Sequence, residues 1–285
     1  MFDNELQDVI RDDVRRALAE DIGSGDITAA LIPEDETSTA TVISRDAAVI
    51  CGTDWVNEVF HQLETDIHPG INIEWQVKDG DTVVPDQRLC RINGPSRALL
   101  TGERTALNFL QTLSATSTLA KRYADAVAHT KAKVLDTRKT IPGLRRALKY
   151  AVTCGGCHNH RIGLYDGILI KENHIAAAGS ITAAVEQAKS MNAGVPIEVE
   201  VETLYELREA LDAGANILLL DNFSMENLTS AVEMNKGQAK LEASGGVTLD
   251  TIAYIAETGV DYISTGELTK HIHAVDLSMR FEDKS

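Results

Sequence analysis

The stretch IEVEVETLYELREALDAGANILLLD, residues 197–221, contains the unit from which much of this sequence is built. Its two ends, IEVEV and ILLLD, are short aliphatic runs, which is the pattern of buried strands. The segment TLYELREALDAG between them has the spacing of an amphipathic helix and ends on a glycine. A strand, a helix and a second strand in this order indicate two parallel strands joined by a crossover helix.

The same unit recurs on both sides of this stretch, with helix-like segments such as SITAAVEQAKSM and TLDTIAYIAETG between the aliphatic runs. This alternation predicts a parallel α/β fold, either a barrel or a doubly wound sheet. Nearly every run ends in a polar or charged residue, and barrel enzymes place their chemistry at the carboxyl ends of the strands, so the barrel is favoured. Six runs, where a full barrel has about eight strands, predict a barrel that is incomplete or closed by a segment without this pattern. The runs are KVLD from residue 133, ILIK from 168, IEVEV from 197, ILLLD from 217, KLEAS from 240 and YIST from 262.

The sequence before the barrel has a different pattern. An amphipathic opening helix is followed by the β-like runs TATVISRDAAVI, INIEWQV and TVVPDQRLCRI, with the helical pattern DWVNEVFHQLE among them. A long helical pattern then covers residues 96–128. We therefore expect a small N-terminal α/β domain over residues 1–112, joined by the tail 271–285, and the barrel domain over residues 113–270.

The overall charge excludes several classes of partner. A formal net charge of −16 would repel nucleic acid and anionic lipid surfaces. No stretch approaches the roughly 20 apolar residues that cross a bilayer, and the first residues lack the apolar core of a secretory signal. Four cysteines are too few for a disulfide scaffold, which fits a reducing compartment. The sequence thus predicts a cytoplasmic protein that binds neither nucleic acid nor membranes.

One part of the chain is basic. Residues 131–171 contain nine Lys and Arg against two Asp. A basic segment in an acidic protein indicates a focused anion site. The alternative is a solvated helix face, because Arg145, Arg146 and Lys149 lie at helical spacing.

Polar residues follow the predicted strands, and in a barrel they meet at one mouth. The early strands supply cations, which suit a multiply charged acid. The middle strands supply carboxylates at Glu200 and Asp221, which suit Mg²⁺. The late strands supply small residues whose backbone N–H groups can approach a phosphate. The candidates are Asp136, Thr137, Arg138, Lys139, Arg161, Lys171, Glu172, Glu200, Glu202, Asp221, Asn222, Ser244, Gly245, Gly246, Thr265, Gly266 and Glu267.

Glu198 and Glu202 share one side of a strand with Glu200, because side chains alternate with a period of two. Carboxylates that face a barrel interior are costly unless a cation or a metal pairs with them. This favours a functional role over a helix-capping one.

The segment CGGCHNH, residues 154–160, allows three interpretations. Cys-x-x-Cys-His is the attachment pattern of c-type haem, and two Cys with two His can bind zinc. Haem attachment needs export, however, and no second ligand pair stands at the spacing of a zinc finger. The favoured interpretation is a glycine-shaped turn whose histidines hydrogen-bond an anion.

Eight blocks of this sequence together resemble the quinolinate phosphoribosyltransferase family, and they occur in the expected order from about residue 20 to residue 270. The resemblance implies an open α/β sandwich followed by an incomplete α/β barrel, in a homodimer or higher assembly. It also implies a Mg²⁺-dependent reaction in which quinolinate and phosphoribosyl pyrophosphate give nicotinate mononucleotide, pyrophosphate and CO₂. The blocks are EDIGSGDIT, GERTALNFLQTLSATST, LDTRKTIPGLR, GGCHNHRIGLYDGILIKENHI, EVEVE, LLLDN, EASGG and STGELT.

The resemblance also implies roles for single residues. Arg138, Arg161 and Lys171 should grip the two carboxylates of quinolinate, with Thr137 and His160 nearby.

The remaining roles concern phosphoribosyl pyrophosphate and the neighbouring subunit. Lys139 should contact the pyrophosphoryl sugar, and Glu200 and Asp221 should contact the ribose hydroxyls and Mg²⁺. The segments 244–246 and 265–267 should bind the 5′-phosphate. Arg104 resembles the arginine that this family donates into the neighbouring subunit's site.

Two alternatives are kept. A related phosphoribosyltransferase without decarboxylation would use the same fold, and assaying CO₂ release separates it. A non-catalytic anion-binding or metal-binding protein would use the same basic mouth without turnover.

Overall fold

The computed structural model describes residues 2–64 and 70–282, with side chains described from residue 5 onwards. The chain divides into two compact units. The first unit contains Met1–Ala120, Ile141–Gly155 and His271–Ser285, and the second contains Lys121–Thr140 and Gly156–Lys270.

The first unit is built on a four-stranded antiparallel sheet in the order β12-β1-β5-β3. Along β1 buried and more exposed residues alternate, with Ala40, Val42 and Ser44 buried, so one face of the sheet packs on the core. A two-stranded sheet pairs β2 with β4. The strands are β1 (Thr37–Ser44), β2 (Ala48–Val49), β3 (Asn72–Trp75), β4 (Thr82–Val83), β5 (Arg88–Pro95) and β12 (Leu277–Phe281).

The tail returns to this unit, since β12 pairs with β1 through partners such as Val42 and Met279. Residues 283–285 of the predicted tail lie outside the described residues. The helices of the unit are α1 (Phe2–Ile22), α2 (Thr53–Leu63), α4 (Arg145–Cys154) and most of α3 (Ser96–Val127), with a 3-10 turn at Ala29–Leu31.

The units differ from the predicted domains at two points. The first unit extends to Ala120 rather than to residue 112, and it includes helix α4, a segment predicted to belong to the barrel. Ala147, Leu148 and Ala151 are fully buried in the same apolar cluster as Trp55 and Leu113. The burial of these side chains attaches Ile141–Gly155 to the first unit although the chain on both sides of it belongs to the second.

The second unit is a six-stranded parallel sheet in the order β6-β11-β10-β9-β8-β7. From β7 to β11 each strand pairs with the next one in the chain, as in a barrel, and the sheet ends at β6 and β7. All six strands begin where the aliphatic runs predicted, which confirms the incomplete barrel. The strands are β6 (Lys133–Leu135), β7 (Ile168–Ile170), β8 (Ile197–Val201), β9 (Ile217–Asp221), β10 (Lys240–Ser244) and β11 (Tyr262–Ser264).

Side-chain caps mark where several crossover helices begin. Ser180 and Ser224 each accept a hydrogen bond from a backbone N–H of the first helical turn, and Thr203 forms a capping box with Glu206. The caps at Thr203 and Ser224 end the loops that leave the carboxyl ends of β8 and β9, whereas Ser180 follows the helix Glu172–Ala178. The helices are α5 (Glu172–Ala178), α6 (Ile181–Ser190), α7 (Leu204–Asp212), α8 (Met225–Asn235), α9 (Ile252–Glu257) and α10 (Glu267–Lys270).

Among the described helices, none is long and apolar enough to cross a membrane.

Candidate functional site

Three of the predicted cations line one cavity of the second unit. Arg138 follows β6, Arg161 lies between β6 and β7, and Lys171 follows β7, and all three border a cavity of about 720 Å³. Burial lowers the pKa of the Arg161 guanidinium, and the positive charge of Arg138 lowers it further. Two guanidinium groups that repel each other across one cavity form a site for an anion of more than one charge.

Lys171 links this cavity to the acidic side of the mouth. Its Nζ contacts Glu200 Oε2, and the Glu200 side chain is largely buried, with 12% exposed. The backbone N–H of Lys171 donates to His174 Nδ1 at 3.0 Å, which holds the start of α5. Contacts within the protein therefore hold both the backbone and the charged side chain of Lys171 in place.

Asp221 ends β9, and the loop after β10 packs beside it. Asn222 Nδ2 donates to Asp221 Oδ2 at 2.8 Å, and the backbone N–H of Asn222 donates to the Ser244 carbonyl at 2.9 Å. Gly245 has a φ of +93°, and a Cβ there would lie 2.2 Å from Asn222 Oδ1. Gly246 has a φ of +60° and open space around it. The two glycines let this loop turn close to Asp221.

The loop after β6 packs on the loop after β11. The Lys139 backbone N–H donates to Thr137 Oγ1 at 3.0 Å. A Cβ on Gly266 would lie 3.1 Å from Lys139 Cδ, so any other residue there would require the lysine side chain to shift by a few tenths of an ångström. The backbone N–H of Glu267 donates to the buried Thr265 hydroxyl at 3.2 Å. These contacts bring the predicted pyrophosphate and phosphate segments together.

His160 lies inside the barrel against two buried acids. Its Nε2 is 3.0 Å from Glu198 Oε2 and 3.5 Å from Glu242 Oε2. Its Nδ1 accepts a hydrogen bond from the Arg161 backbone N–H at 2.8 Å. All four residues border a cavity of about 330 Å³ whose lining also includes Tyr262.

The two acids cannot both be charged without cost. Burial, and after it the neighbouring Glu198 carboxylate, raises the pKa of Glu242 to about 7 against the opposing effect of His160. Two carboxyls in one dry site favour a form in which one of them is protonated.

Sequence reasoning missed Glu242 as a site residue. It lies in the run KLEAS, where a single acid between apolar residues is a weak signal, because acidic strand residues usually face solvent. In the parallel pairing of β10 with β9, Glu242 lies opposite Leu219, and its side chain is buried.

Asp136 follows β6 directly, and the sequence predicted no specific role for it among the strand-end residues. It is completely buried and accepts hydrogen bonds from Asn159 Nδ2 at 2.7 Å and from the His160 backbone N–H at 2.9 Å. A fully buried carboxylate that receives two N–H donors fixes the segment containing the two histidines.

Arg104 lies on α3 within the first unit. Its side chain is 60% exposed and lies 4.0 Å from the Glu103 carboxylate. Its predicted role in a neighbouring subunit stays a prediction.

The three interpretations of residues 154–160 have different outcomes. Cys154 belongs to the first unit and Cys157 to the second. Among the described residues, Cys154 groups with Cys51 and Asp79, and Cys157 is in neither of the two possible metal-binding groups. The haem and zinc interpretations are therefore not supported by the geometry. His158 continues the sheet beside Leu135, and Gly156 has a φ of +90°, as expected of a glycine-shaped turn.

The solvated helix face proposed for Arg145, Arg146 and Lys149 is also not what the structure has. Lys149 is only 2% exposed, so one of the three cations on this helix is buried rather than solvated.

Two family models match almost the whole chain. The model described as Quinolinate phosphoribosyl transferase, N-terminal domain, matches residues 26–114, and the corresponding C-terminal domain model matches residues 116–280.

Individual relatives agree with the family models. A probable nicotinate-nucleotide pyrophosphorylase [carboxylating] from Bacillus subtilis is 40% identical, covering 91% of this chain and 89% of the relative. A quinolinate phosphoribosyltransferase [decarboxylating] from Nicotiana tabacum is 38% identical, covering 96% of this chain and 82% of the relative. The solved structure of a nicotinate-nucleotide pyrophosphorylase from Francisella tularensis has a TM-score of 0.91 and 46% identity, with 97% of both chains covered.

Proposed function

The chain belongs to the quinolinate phosphoribosyltransferase family, and we propose that its barrel mouth joins quinolinate to phosphoribosyl pyrophosphate and releases pyrophosphate and CO₂. The enzyme is a pentosyltransferase of NAD biosynthesis, and the product is nicotinate mononucleotide.

The observation that best supports this proposal is the cavity bordered by Arg138, Arg161 and Lys171. Quinolinate has two carboxylates on adjacent ring positions, and a guanidinium offers two parallel N–H donors that match one carboxylate. Two such groups and a lysine supply enough positive charge for both carboxylates. The same cations orient the ring, so that its nitrogen can be aligned with the reacting sugar carbon.

The acidic side of the mouth fits Mg²⁺ in its donor set. Glu200 lies near the end of β8 and Asp221 ends the neighbouring strand β9, and each has one oxygen held by a protein partner, Lys171 and Asn222 respectively. Hard oxygen ligands with such supporting contacts suit this ion, which completes its shell with water and phosphate oxygens. Bound there, Mg²⁺ would neutralise charge on the departing pyrophosphate.

Displacement of pyrophosphate builds positive charge on the ribose carbon and negative charge on the leaving group. Lys139, whose loop is held by Thr137 and Gly266, supplies a fixed positive charge for the leaving group. Glu200 and Asp221 supply fixed negative charge for the cationic sugar. Charges that are in place before the reaction stabilise its transition state without reorganisation.

Decarboxylation follows from the charge on the ring. Once the ring nitrogen is bonded to ribose it is positive, and it stabilises the electron pair left on the adjacent ring carbon when the carboxylate departs as CO₂. A proton from water then bonds to that carbon in place of the carboxylate. No side chain is required as an electron acceptor in this step. Arg138 and Arg161 hold the carboxylates until the new bond has formed.

We further propose a homodimer or higher assembly in which Arg104, exposed on α3, enters the neighbouring subunit's site. A cytoplasmic location is also proposed, and the four free cysteines support it.

The test is the release of labelled CO₂ from carboxyl-labelled quinolinate. The wild-type protein should release one CO₂ per nicotinate mononucleotide formed, only when both phosphoribosyl pyrophosphate and Mg²⁺ are present. Nucleotide formed without CO₂ would indicate the non-decarboxylating alternative. Binding without any turnover would indicate the anion-binding alternative.

A further inference from the structure

The protonation form of His160 can be read from its two contacts. Because Nδ1 accepts a hydrogen bond from the Arg161 backbone N–H at 2.8 Å, the ring proton lies on Nε2. Nε2 then donates to Glu198 Oε2 at 3.0 Å, with Glu242 Oε2 farther away at 3.5 Å. The ring is therefore neutral and connects a buried acid to the backbone of Arg161.

The two acids beneath His160 are almost inaccessible to solvent. Glu198 is 5% exposed and Glu242 is 1% exposed. The second oxygen of each, Oε1, is buried without a hydrogen-bond partner. Buried carboxylate oxygens are costly without a donor or a cation beside them, and the His160 ring is the donor that this site supplies.

A metal ion is the other way to satisfy these oxygens, since His160, Glu198 and Glu242 place their ligand atoms within 4.8 Å of one another. A histidine that binds a metal through one nitrogen normally donates a hydrogen bond from the other. Here the other nitrogen, Nδ1, accepts a hydrogen bond, so the geometry favours a proton on Nε2 over a metal ion bound there.

We propose that Glu198 is a positioning residue which, through His160, fixes the backbone from which Arg161 reaches quinolinate. Glu198 Oε2 is the acceptor for the Nε2 proton at 3.0 Å, and Glu242 Oε2 is the more distant oxygen at 3.5 Å. The proposal rests on the proposed function, because it assigns a role to the support of one clamp residue.

The rest of the Arg161 segment is held in the same manner. The backbone N–H groups of Ile162 and Gly163 donate to Asp166, and the Arg161 guanidinium donates to the Gly167 carbonyl at 3.1 Å. The arginine backbone is thus held from one side by this turn and from the other by His160. Loss of the His160 support should leave the turn intact while displacing the guanidinium.

The two acids should respond differently to the same substitution. Glu242→Gln leaves the closer contact between His160 and Glu198 in place, so the KM for quinolinate should stay within about twofold of wild type. Glu198→Gln removes the charged acceptor, and the displaced Arg161 should raise the KM for quinolinate roughly tenfold or more. The KM for phosphoribosyl pyrophosphate should change by less than about twofold in both variants. Glu233→Gln, an exposed change on α8, is the control for the loss of one negative charge.

Equal effects of the two substitutions, or an equal rise in both KM values, would overturn the proposal. Nitrogen-15 NMR of the histidine rings provides a second readout that needs no turnover. Wild type and Glu242→Gln should both show His160 as the neutral ring protonated on Nε2. If Glu198→Gln does not fold, this NMR measurement tests the proposal in its place. A charged ring, or a ring that binds stoichiometric added Zn²⁺ in wild type, would contradict it.

Failure of the proposed function is recognised separately. In that case wild type forms no nucleotide from quinolinate, whereas the NMR measurement still reports on the His160 contacts.

Discussion

Gly245 lies in the loop after β10 with a φ of +93°, a conformation that a residue with a Cβ adopts only at a cost. The loop brings the backbone of Ser244 and the side chain of Asn222 beside Asp221. A residue without a side chain therefore sets the shape of the proposed phosphate segment.

We predict that Gly245→Ala destabilises the protein more than Gly246→Ala. Both changes place alanine at a positive φ, which costs about 1–2 kcal/mol. Only the first adds a clash, because the new Cβ would lie 2.2 Å from Asn222 Oδ1 and 2.9 Å from the Asn222 backbone nitrogen.

Thermal unfolding of the two variants beside wild type provides the measurement. The midpoint should be lowest for Gly245→Ala, and the KM for phosphoribosyl pyrophosphate should rise most there. Equal midpoints for the two variants would show that the close packing against Asn222 is unimportant.

At the scale of residues, the sequence predicted the polar groups at the strand ends and the buried Glu198, but not Glu242. Lys171 and Glu200 were selected because strand ends meet in a barrel, and they are in contact. Glu242 was missed because its burial depends on which face of β10 turns inward, and this is fixed by pairing with β9. Pairing between distant segments is not visible in a short run of sequence.

Helix α2 begins at a position that has no capping side chain of its own. Its N-cap residue is Gly52, and the missing acceptor is supplied by Asp79, whose Oδ1 accepts from the backbone N–H groups of Gly52 and Thr53 at 3.1 and 3.0 Å. The other oxygen, Oδ2, accepts from the Tyr150 hydroxyl of α4 at 2.9 Å. One carboxylate thus joins two helices of the first unit.

We predict that Asp79→Ala lowers the free energy of unfolding by about 1–3 kcal/mol, because it removes a helix cap and leaves the tyrosine hydroxyl without its charged acceptor. Tyr150→Phe removes only the second contact and should cost less. Glu34→Ala, an exposed change in the same unit, is the control. Urea unfolding measures all three, and an Asp79→Ala variant as stable as the control would refute this assignment.

At the scale of elements, the sequence predicted the six barrel strands, and all six are present. Period and composition were sufficient because each strand is a short aliphatic run between helices. The position of α4 was not predictable in the same way. The sequence of α4 predicts a helix but not the unit against which the helix packs. The burial of α4 in one cluster with Trp55 and Leu113 assigns it to the first unit.

The whole molecule raises the question of where Arg104 acts. It belongs to the first unit, whereas Arg138 belongs to the second. If each site is completed by an arginine from the neighbouring subunit, then two inactive variants can complement each other in a mixed dimer.

We predict that Arg104→Ala and Arg138→Ala are each nearly inactive and that refolding an equal mixture restores activity. Random pairing makes half of the dimers mixed, and one site of each mixed dimer has both arginines, so about a quarter of wild-type activity should return. The assay is CO₂ release before and after mixing. No recovery, with mixed dimers shown by mass spectrometry, would place Arg104 in the site of its own subunit or outside any site.

The central claim is that cations from separate parts of the chain meet around one dicarboxylic ring, and a double-mutant cycle on quinolinate affinity tests it most directly. Calorimetry on wild type, Arg138→Ala, Arg161→Ala and the double variant should show that each single change weakens binding by about 1.5–3 kcal/mol. The two losses should not add, with a coupling of about 0.5–3 kcal/mol, because both side chains grip the same ligand. Wild-type affinity in either single variant, with thermal unfolding unchanged, would contradict the account.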